Sequence, residues 1–231
     1  MINWHTIDTV LLDMDGTLLD LHYDNHFWLE YLPRRYADKH QRPIDEVKAE
    51  LFSQIMSQKG HLNWYCLDYW SQRLEMDIIE LKREIKHMIV IRPHVEEFLR
   101  QLRHSHHQVI LVTNAHRDGL VLKLEQTGLE PWFDEIVASH DYQAPKEQQQ
   151  FWQQLQQQHP FDPAKTLFID DSISVLESAQ QYGIKHLLTL LQPDSKKAAQ
   201  TKSDFPSILH FDEIMPLTSK NKNNTPSSQH E

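Results

Sequence analysis

An apolar run of four residues, Thr9 to Leu12, stops abruptly at Asp13-Met14-Asp15-Gly16-Thr17. A run this short, flanked by turn residues, reads as a buried strand, with the two acids and the glycine forming a tight loop at its end. Comparable runs recur at Val109 to Thr113, Ile136 to Ala138, Thr166 to Ile169 and His186 to Leu190. Their near-continuous apolarity fits strands covered on both faces. Helical stretches lie between them. His116 to Thr127 stops before Gly128, Ser172 to Tyr182 stops before Gly183, and Glu147 to Gln157 carries Phe151, Trp152 and Leu155 at helical spacing. Alternating strands and helices predict an α/β fold with a doubly wound parallel sheet and right-handed crossovers.

One stretch breaks the rhythm. Residues 21–89 are helix-like throughout, with Val47, Leu51, Ile55 and Met56, then Trp64, Leu67, Tyr69, Trp70 and Leu74, then Ile78, Leu81 and Ile85. So much helix between the first and second strands reads as an insertion rather than a crossover. The organisation expected is therefore an α/β core from residues 1–20 and 90–216 with a helical insertion at 21–89. Pro93 to Arg103 reads as the next core helix, with the proline in its first turn. The tail, residues 217–231, is rich in Ser, Asn, Lys and Gln and is expected to be disordered.

Composition removes several functions. The chain carries 23 Lys and Arg against 33 Asp and Glu, a formal charge of −10. Without a basic stripe it is not expected to bind nucleic acid. An anionic small molecule stays open, because one metal ion and one lysine reverse the field locally. Cys66 is the single cysteine, so intrachain disulfides and cysteine-rich zinc or iron–sulfur clusters lack ligands. The 16 histidines are scattered, and the densest group, His104, His106 and His107, reads as a solvated helix end. No run approaches the ~20 apolar residues of a membrane span, and Met1 to Trp4 carries no basic leader region, so a cytoplasmic location is expected. GxGxxG and P-loop patterns are absent.

Four separated pieces carry the chemistry. In the first, Gly16 lets the backbone turn tightly, so that Asp13 and Asp15 can face one crevice despite the alternation of a strand. In the second, Thr113-Asn114 offers a hydroxyl and backbone N–H groups to phosphate oxygens, although the same pair also makes a good helix cap. Lys146 follows Pro145 and precedes a helix; alone it reads equally as a solvated lysine. The fourth, Phe168-Ile169-Asp170-Asp171-Ser172, ends a strand in two adjacent acids. Such acids repel unless a cation lies between them, although either Asp171 or Ser172 could instead cap the next helix. In a doubly wound sheet the carboxyl ends of the strands converge on one crevice. An oxygen-only donor set there suits a hard ion such as Mg²⁺.

Asp-x-Asp-Gly-Thr, then Thr-Asn, Lys and Asp-Asp in that order, with an early helical insertion, resembles the haloacid dehalogenase-like hydrolase superfamily over residues 8 to about 190. The resemblance implies a Rossmann-like core under a cap, and Asp13 as a nucleophile that attacks a phosphate monoester to form an aspartyl-phosphate. It implies Asp15 as the acid for the leaving alcohol and then the base for water. It implies Mg²⁺ held by Asp13, the Asp15 carbonyl and Asp171, with Asp170 bound directly or one layer out. Lys146, Thr113 and Asn114 would stabilise the phosphoryl oxygens.

Within the superfamily, residues 62–70 and Thr113-Asn114-Ala115-His116 resemble bacterial nucleotidases acting on GMP and IMP. Asn63, Trp64 and Tyr65 would offer a stacking face with an amide beside it, although packing within the cap also accounts for the aromatics. His116 would contact the ribose or the cap, or simply start a helix. The substrate expected is a purine nucleoside 5′-monophosphate. A sugar-phosphate or phosphoglycolate phosphatase is the alternative, and a phosphoaspartate receiver module is a more distant one.

Overall fold

The computed structural model describes residues 2–215; the tail at 217–231 lies outside the described residues. Six parallel strands form one sheet: β1 (Thr9–Leu12), β2 (Gln108–Thr113), β3 (Glu135–Ala138), β4 (Thr166–Ile169), β5 (His186–Leu190) and β6 (Ser207–Ile208). Their order is β3-β2-β1-β4-β5-β6, so β1 lies inside the sheet and its neighbours come from distant parts of the chain. The five expected strands are present. β6 adds two residues at the edge beyond β5, too short a run to carry a sequence signal.

The sheet is covered on both faces. Helices α6 (Val95–Arg103), α7 (Arg117–Thr127), α8 (Gln149–Gln158) and α9 (Ile173–Tyr182) follow the strands or precede them as crossovers. Gly128 and Gly183 both close their helices in the left-handed conformation. Pro93 falls outside α6, which begins only after His94 turns left-handed at φ 66°. One hydrophobic cluster packs Leu11, Ile110, Phe168, Phe151 and Trp152 together on one side of the sheet. The other side buries Val10, Leu12, Leu111 and Ile169.

Residues 21–89 form α1 (His22–His26), a π-helical turn at Phe27–Tyr31, α2 (Leu32–His40), α3 (Ile44–Met56), α4 (Leu67–Leu74) and α5 (Ile78–Glu84). These helices do not bury a separate core. Phe27, Leu32, Leu51, Trp70 and Leu81 belong to the same continuous cluster as Val10 and Leu12 under the sheet. The insertion thus packs on the side of the sheet that carries Val10 and Leu12. Among the described residues no helix is long and apolar enough to cross a membrane. The histidine group at 104–107 departs from expectation: His107 is buried, and its ring reaches the Trp4 carbonyl at 3.2 Å and the Ser105 hydroxyl at 2.7 Å.

Candidate active site

Sheet register places the acids. Leu12 pairs with Leu111 on one side and with Ile169 on the other, so the next residues along are Asp13, Val112 and Asp170. The ladder continues through Asp13 N–H to the Ile169 carbonyl (3.0 Å) and Asp170 N–H to the Leu188 carbonyl (3.1 Å). Carboxylates immediately beyond the last apolar residue are therefore fixed by backbone bonds.

Gly16 then turns the chain at φ +85°, and its N–H reaches the Leu19 carbonyl at 2.8 Å. A methyl group at Gly16 would lie 2.5 Å from an Asp171 carboxylate oxygen. Glycine is needed there both for the positive φ and for the approach of Asp171.

Asp13, Asp170 and Asp171 bring carboxylate oxygens within 4.8 Å of one another. Lys146 enters this group from the loop after β3. Its Nζ donates to Asp13 Oδ1 at 2.5 Å, to Asp170 Oδ2 at 2.7 Å and to the Val112 carbonyl at 3.1 Å. Burial disfavours the lysine's charge, but Asp13 and Asp170 outweigh it and hold its pKa above the ordinary value. Burial pushes Asp13 up to about 6, against the pull of Lys146. Asp171 is raised well above the ordinary value by burial and by repulsion from Asp170 and Asp13. Asp170 spends its second oxygen on the Ser172 N–H (2.8 Å), whereas the Asp171 carboxylate makes no hydrogen bond among the described residues.

The ledger of charge is the important fact. Three carboxylates face a single ammonium, and two negative charges are left over in a buried site. Buried charge is costly unless paired. The donor set is oxygen alone, and it fits a hard divalent cation such as Mg²⁺.

A second ionic group lines the same cavity. Lys123 of α7 donates to Asp15 Oδ1 and Asp24 Oδ2, each at 2.7 Å, and Lys82 of α5 donates to Asp24 Oδ1 at 2.8 Å. Both lysine side chains are almost fully buried. Burial pushes Asp15 up to about 6, partly opposed by Lys123. Burial also opposes the charge of Asp24, yet Lys123 and Lys82 together hold its pKa below the usual carboxylate range. The chain Asp15–Lys123–Asp24–Lys82 ties the loop after β1 to α1, α5 and α7.

The cavity between these groups has a volume of about 300 Å³, at the small end for a small-molecule site. Asp13, Asp15, Asp170, Asp171, Lys146, Thr113, Asn114, His116 and Trp64 all line it. Thr113 Oγ1 accepts the Ala115 N–H at 3.0 Å, which leaves its own hydrogen free to donate.

Two expectations change. Asn63 is not brought to the cavity: it is exposed on a short turn, and its amide donates to Gln58 at 3.3 Å. The turn at Leu62–Trp64 sends successive side chains in different directions, so Trp64 faces inward and Asn63 outward. Asn114 reaches the cavity with its side chain already committed. Its Oδ1 accepts the Lys146 N–H (2.9 Å) and its Nδ2 donates to Glu147 (3.0 Å), so it positions the lysine loop.

Comparison with known proteins places the chain in a family. A sequence model described as haloacid dehalogenase-like hydrolase matches residues 10–189. The chain belongs to that family. It is also 40% identical over 215 residues to GMP/IMP nucleotidase YrfG of Escherichia coli strain K12, covering 93% of this chain and 97% of the relative. Among solved structures, a HAD phosphatase from Thermococcus onnurineus superposes with a TM-score of 0.76 at 21% identity, over 90% of this chain and 96% of that one. The HAD-hydrolase YfnB from Bacillus subtilis, bound to magnesium, gives 0.61 at 19% identity, over 90% and 96%.

Sequence reading of this haloacid dehalogenase-like chain missed Lys123, Asp24 and Lys82. A signal was present. Lys123 shares the buried stripe of α7 with Gly119 and Leu120, and Lys82 lies on that of α5 with Ile78 and Leu81. A lysine at an apolar-stripe position needs a buried partner. Glu147 carried no expectation as a site residue; it accepts the hydroxyl of the cavity-lining Tyr65 at 2.6 Å, so this ring, expected to offer a stacking face, also holds the loop that carries Lys146.

Proposed function

We propose that this chain is a Mg²⁺-dependent phosphomonoesterase acting on purine nucleoside 5′-monophosphates such as GMP and IMP. The observation that carries the reading is the surplus of buried carboxylate around Asp13, opening into a cavity that also holds Thr113 and Trp64. The name of the Escherichia coli relative supports the substrate class, and magnesium in the YfnB structure supports the metal.

Asp13, Asp171 and the Asp15 carbonyl would hold the ion. Asp170 serves one layer out, since Lys146 and Ser172 already occupy its oxygens. The bound ion supplies positive charge that lets a carboxylate approach a phosphate dianion.

The chain's own residues do the rest. An Asp13 oxygen attacks phosphorus, the bond to the ester oxygen breaks, and Asp15 gives that oxygen its proton. Water then attacks the aspartyl-phosphate, Asp15 takes a proton from it, and Asp13 is regenerated as phosphate leaves. Lys146 keeps Asp13 oriented and offsets the charge of the phosphoryl oxygens, while the Thr113 hydroxyl donates to one of them. Lys123 holds Asp15 through Oδ1, which leaves Oδ2 to carry the proton to the ester oxygen and to take one from water.

We take residues 1–20 and 90–216 as the catalytic core and 21–89 as the cap. Trp28 and Trp64 from the cap line the cavity and offer faces for a base. The test is phosphate release from GMP, IMP, AMP and a set of sugar phosphates, with Mg²⁺ and with chelator. The expected result is turnover of GMP and IMP that chelator abolishes. Preference for sugar phosphates would overturn the substrate class, and undiminished turnover under chelation would overturn the metal.

A further inference from the structure

Three side chains beside the cavity have no part in the phosphoryl chemistry. Cys66 precedes α4, His116 precedes α7, and His140 lies in the short turn Ser139–Tyr142 after β3. The Cys66 sulfur and one ring nitrogen of each histidine lie within 4.8 Å of one another, although the residues come from three distant segments. The His116 and His140 rings meet edge to face, with centroids 4.9 Å apart at 80°.

A second observation points to a ligand. Both ring nitrogens of His140 are buried without a hydrogen-bond partner among the described residues. A neutral imidazole always has one donor and one acceptor, and leaving both dry and unpaired is unfavourable. Such an orphaned group needs a partner that the protein itself does not supply. Asp68 adds a carboxylate nearby, with Oδ2 3.5 Å from His116 Nε2.

We propose that Cys66, His116 and His140 form a second metal site, one that takes a borderline-soft divalent ion of the zinc class. One sulfur and two imidazole nitrogens suit zinc, with water in a fourth position. They do not suit Mg²⁺, which wants oxygen. Zinc bonds of about 2.0–2.3 Å bring donors to roughly 3.5 Å from one another, so modest rotation of these side chains closes the set. The Cys66 thiol gives its proton to solvent on binding. The ion ties the helical insertion, through Cys66, to the ends of β2 and β3. This site stands whether or not the phosphatase reading holds.

The test uses the full-length, metal-stripped chain with Co²⁺ as probe and Zn²⁺ as competitor. One equivalent of Co²⁺ is expected to give a thiolate-to-cobalt charge-transfer band that one equivalent of Zn²⁺ removes and excess Mg²⁺ does not. Cys66→Ser is expected to lose the band while keeping its fold, because serine also caps a helix. Cys66→Ser and His140→Gln should each weaken Zn²⁺ binding beyond the roughly 10–100-fold typical of an outer-shell partner. Asp171→Asn should leave it unchanged. Stoichiometric Zn²⁺, but not Mg²⁺, should slow alkylation of Cys66 at least tenfold in the wild-type chain. A missing band in the wild-type chain, equal Zn²⁺ affinity in all variants, or alkylation indifferent to Zn²⁺ would overturn the proposal.

Discussion

The two ionic groups that share the cavity are built on opposite plans. Around Asp13, three carboxylates meet one lysine. Around Asp24, two carboxylates meet two lysines in an alternating row, Asp15–Lys123–Asp24–Lys82. The second group is neutral as it stands and locks helices together. The first is incomplete without added positive charge, and its acids repel. What separates the two groups is imbalance rather than the number of buried charges, and Asp15, at the end of the balanced row, is where the row meets the cavity.

The strongest way to break the comparison is to remove the nucleophile. Asp13→Asn is expected to lower phosphate release by at least roughly three orders of magnitude, while circular dichroism shows the fold unchanged. Wild-type turnover in that variant would remove Asp13 from its role.

Next comes the balanced row. Lys123→Met leaves Asp15 without its cation and halves the compensation of Asp24. Breaking a buried pair from one side costs about 3–5 kcal/mol, a fall in Tm of roughly 6–20 °C for a chain of this size. Adding Asp15→Asn to Lys123→Met leaves the neutral Asp24–Lys82 pair and should recover most of the loss. If the double variant melts no higher than the single one, lost packing rather than charge explains the cost.

The unbalanced cluster should behave oppositely. Without metal, Asp171→Asn relieves repulsion from Asp13 and Asp170 and is expected to stabilise the fold by about 1–2 kcal/mol. Mg²⁺ should raise the wild-type Tm and leave that of Asp171→Asn nearly unchanged, read by thermal melts with and without the ion.

The smallest effect is in pH. Asp13 is raised from an ordinary value of 3.8 to about 6, so the folded state binds more protons between those values. Metal-free stability should therefore fall as pH rises through that window, and Asp13→Asn should reduce the slope, the remainder coming from Asp15 and Asp171, which burial also raises. Asp24 is held below its ordinary value and acts in the other direction, its contribution being lost only as pH falls below 3.8. Urea midpoints from pH 3 to 7 for both chains would separate the two.

Much of this was legible in the order of residues. Short apolar runs announce strands, and in a parallel sheet whatever follows a run stands at the same edge. Asp13, Thr113 and Asp170 could therefore be placed together from local pattern alone, and Lys146 was named although its reach to Asp13 spans 133 residues. The row through Lys123 was not, because Asp24 lies 99 residues away and nothing in either segment names the other. The sequence also left open which way a single side chain in a turn would face. Trp64 turned inward and its neighbour Asn63 outward.

What the residues determined by themselves is the sheet, its crossovers and the acids at its strand ends, since those follow from hydrophobic run length and backbone pairing. Only the tertiary structure decided which buried charges are balanced and which histidines, scattered along the chain, meet Cys66. Pairing energies depend on distance and burial, and packing of the inserted helices on the sheet sets both.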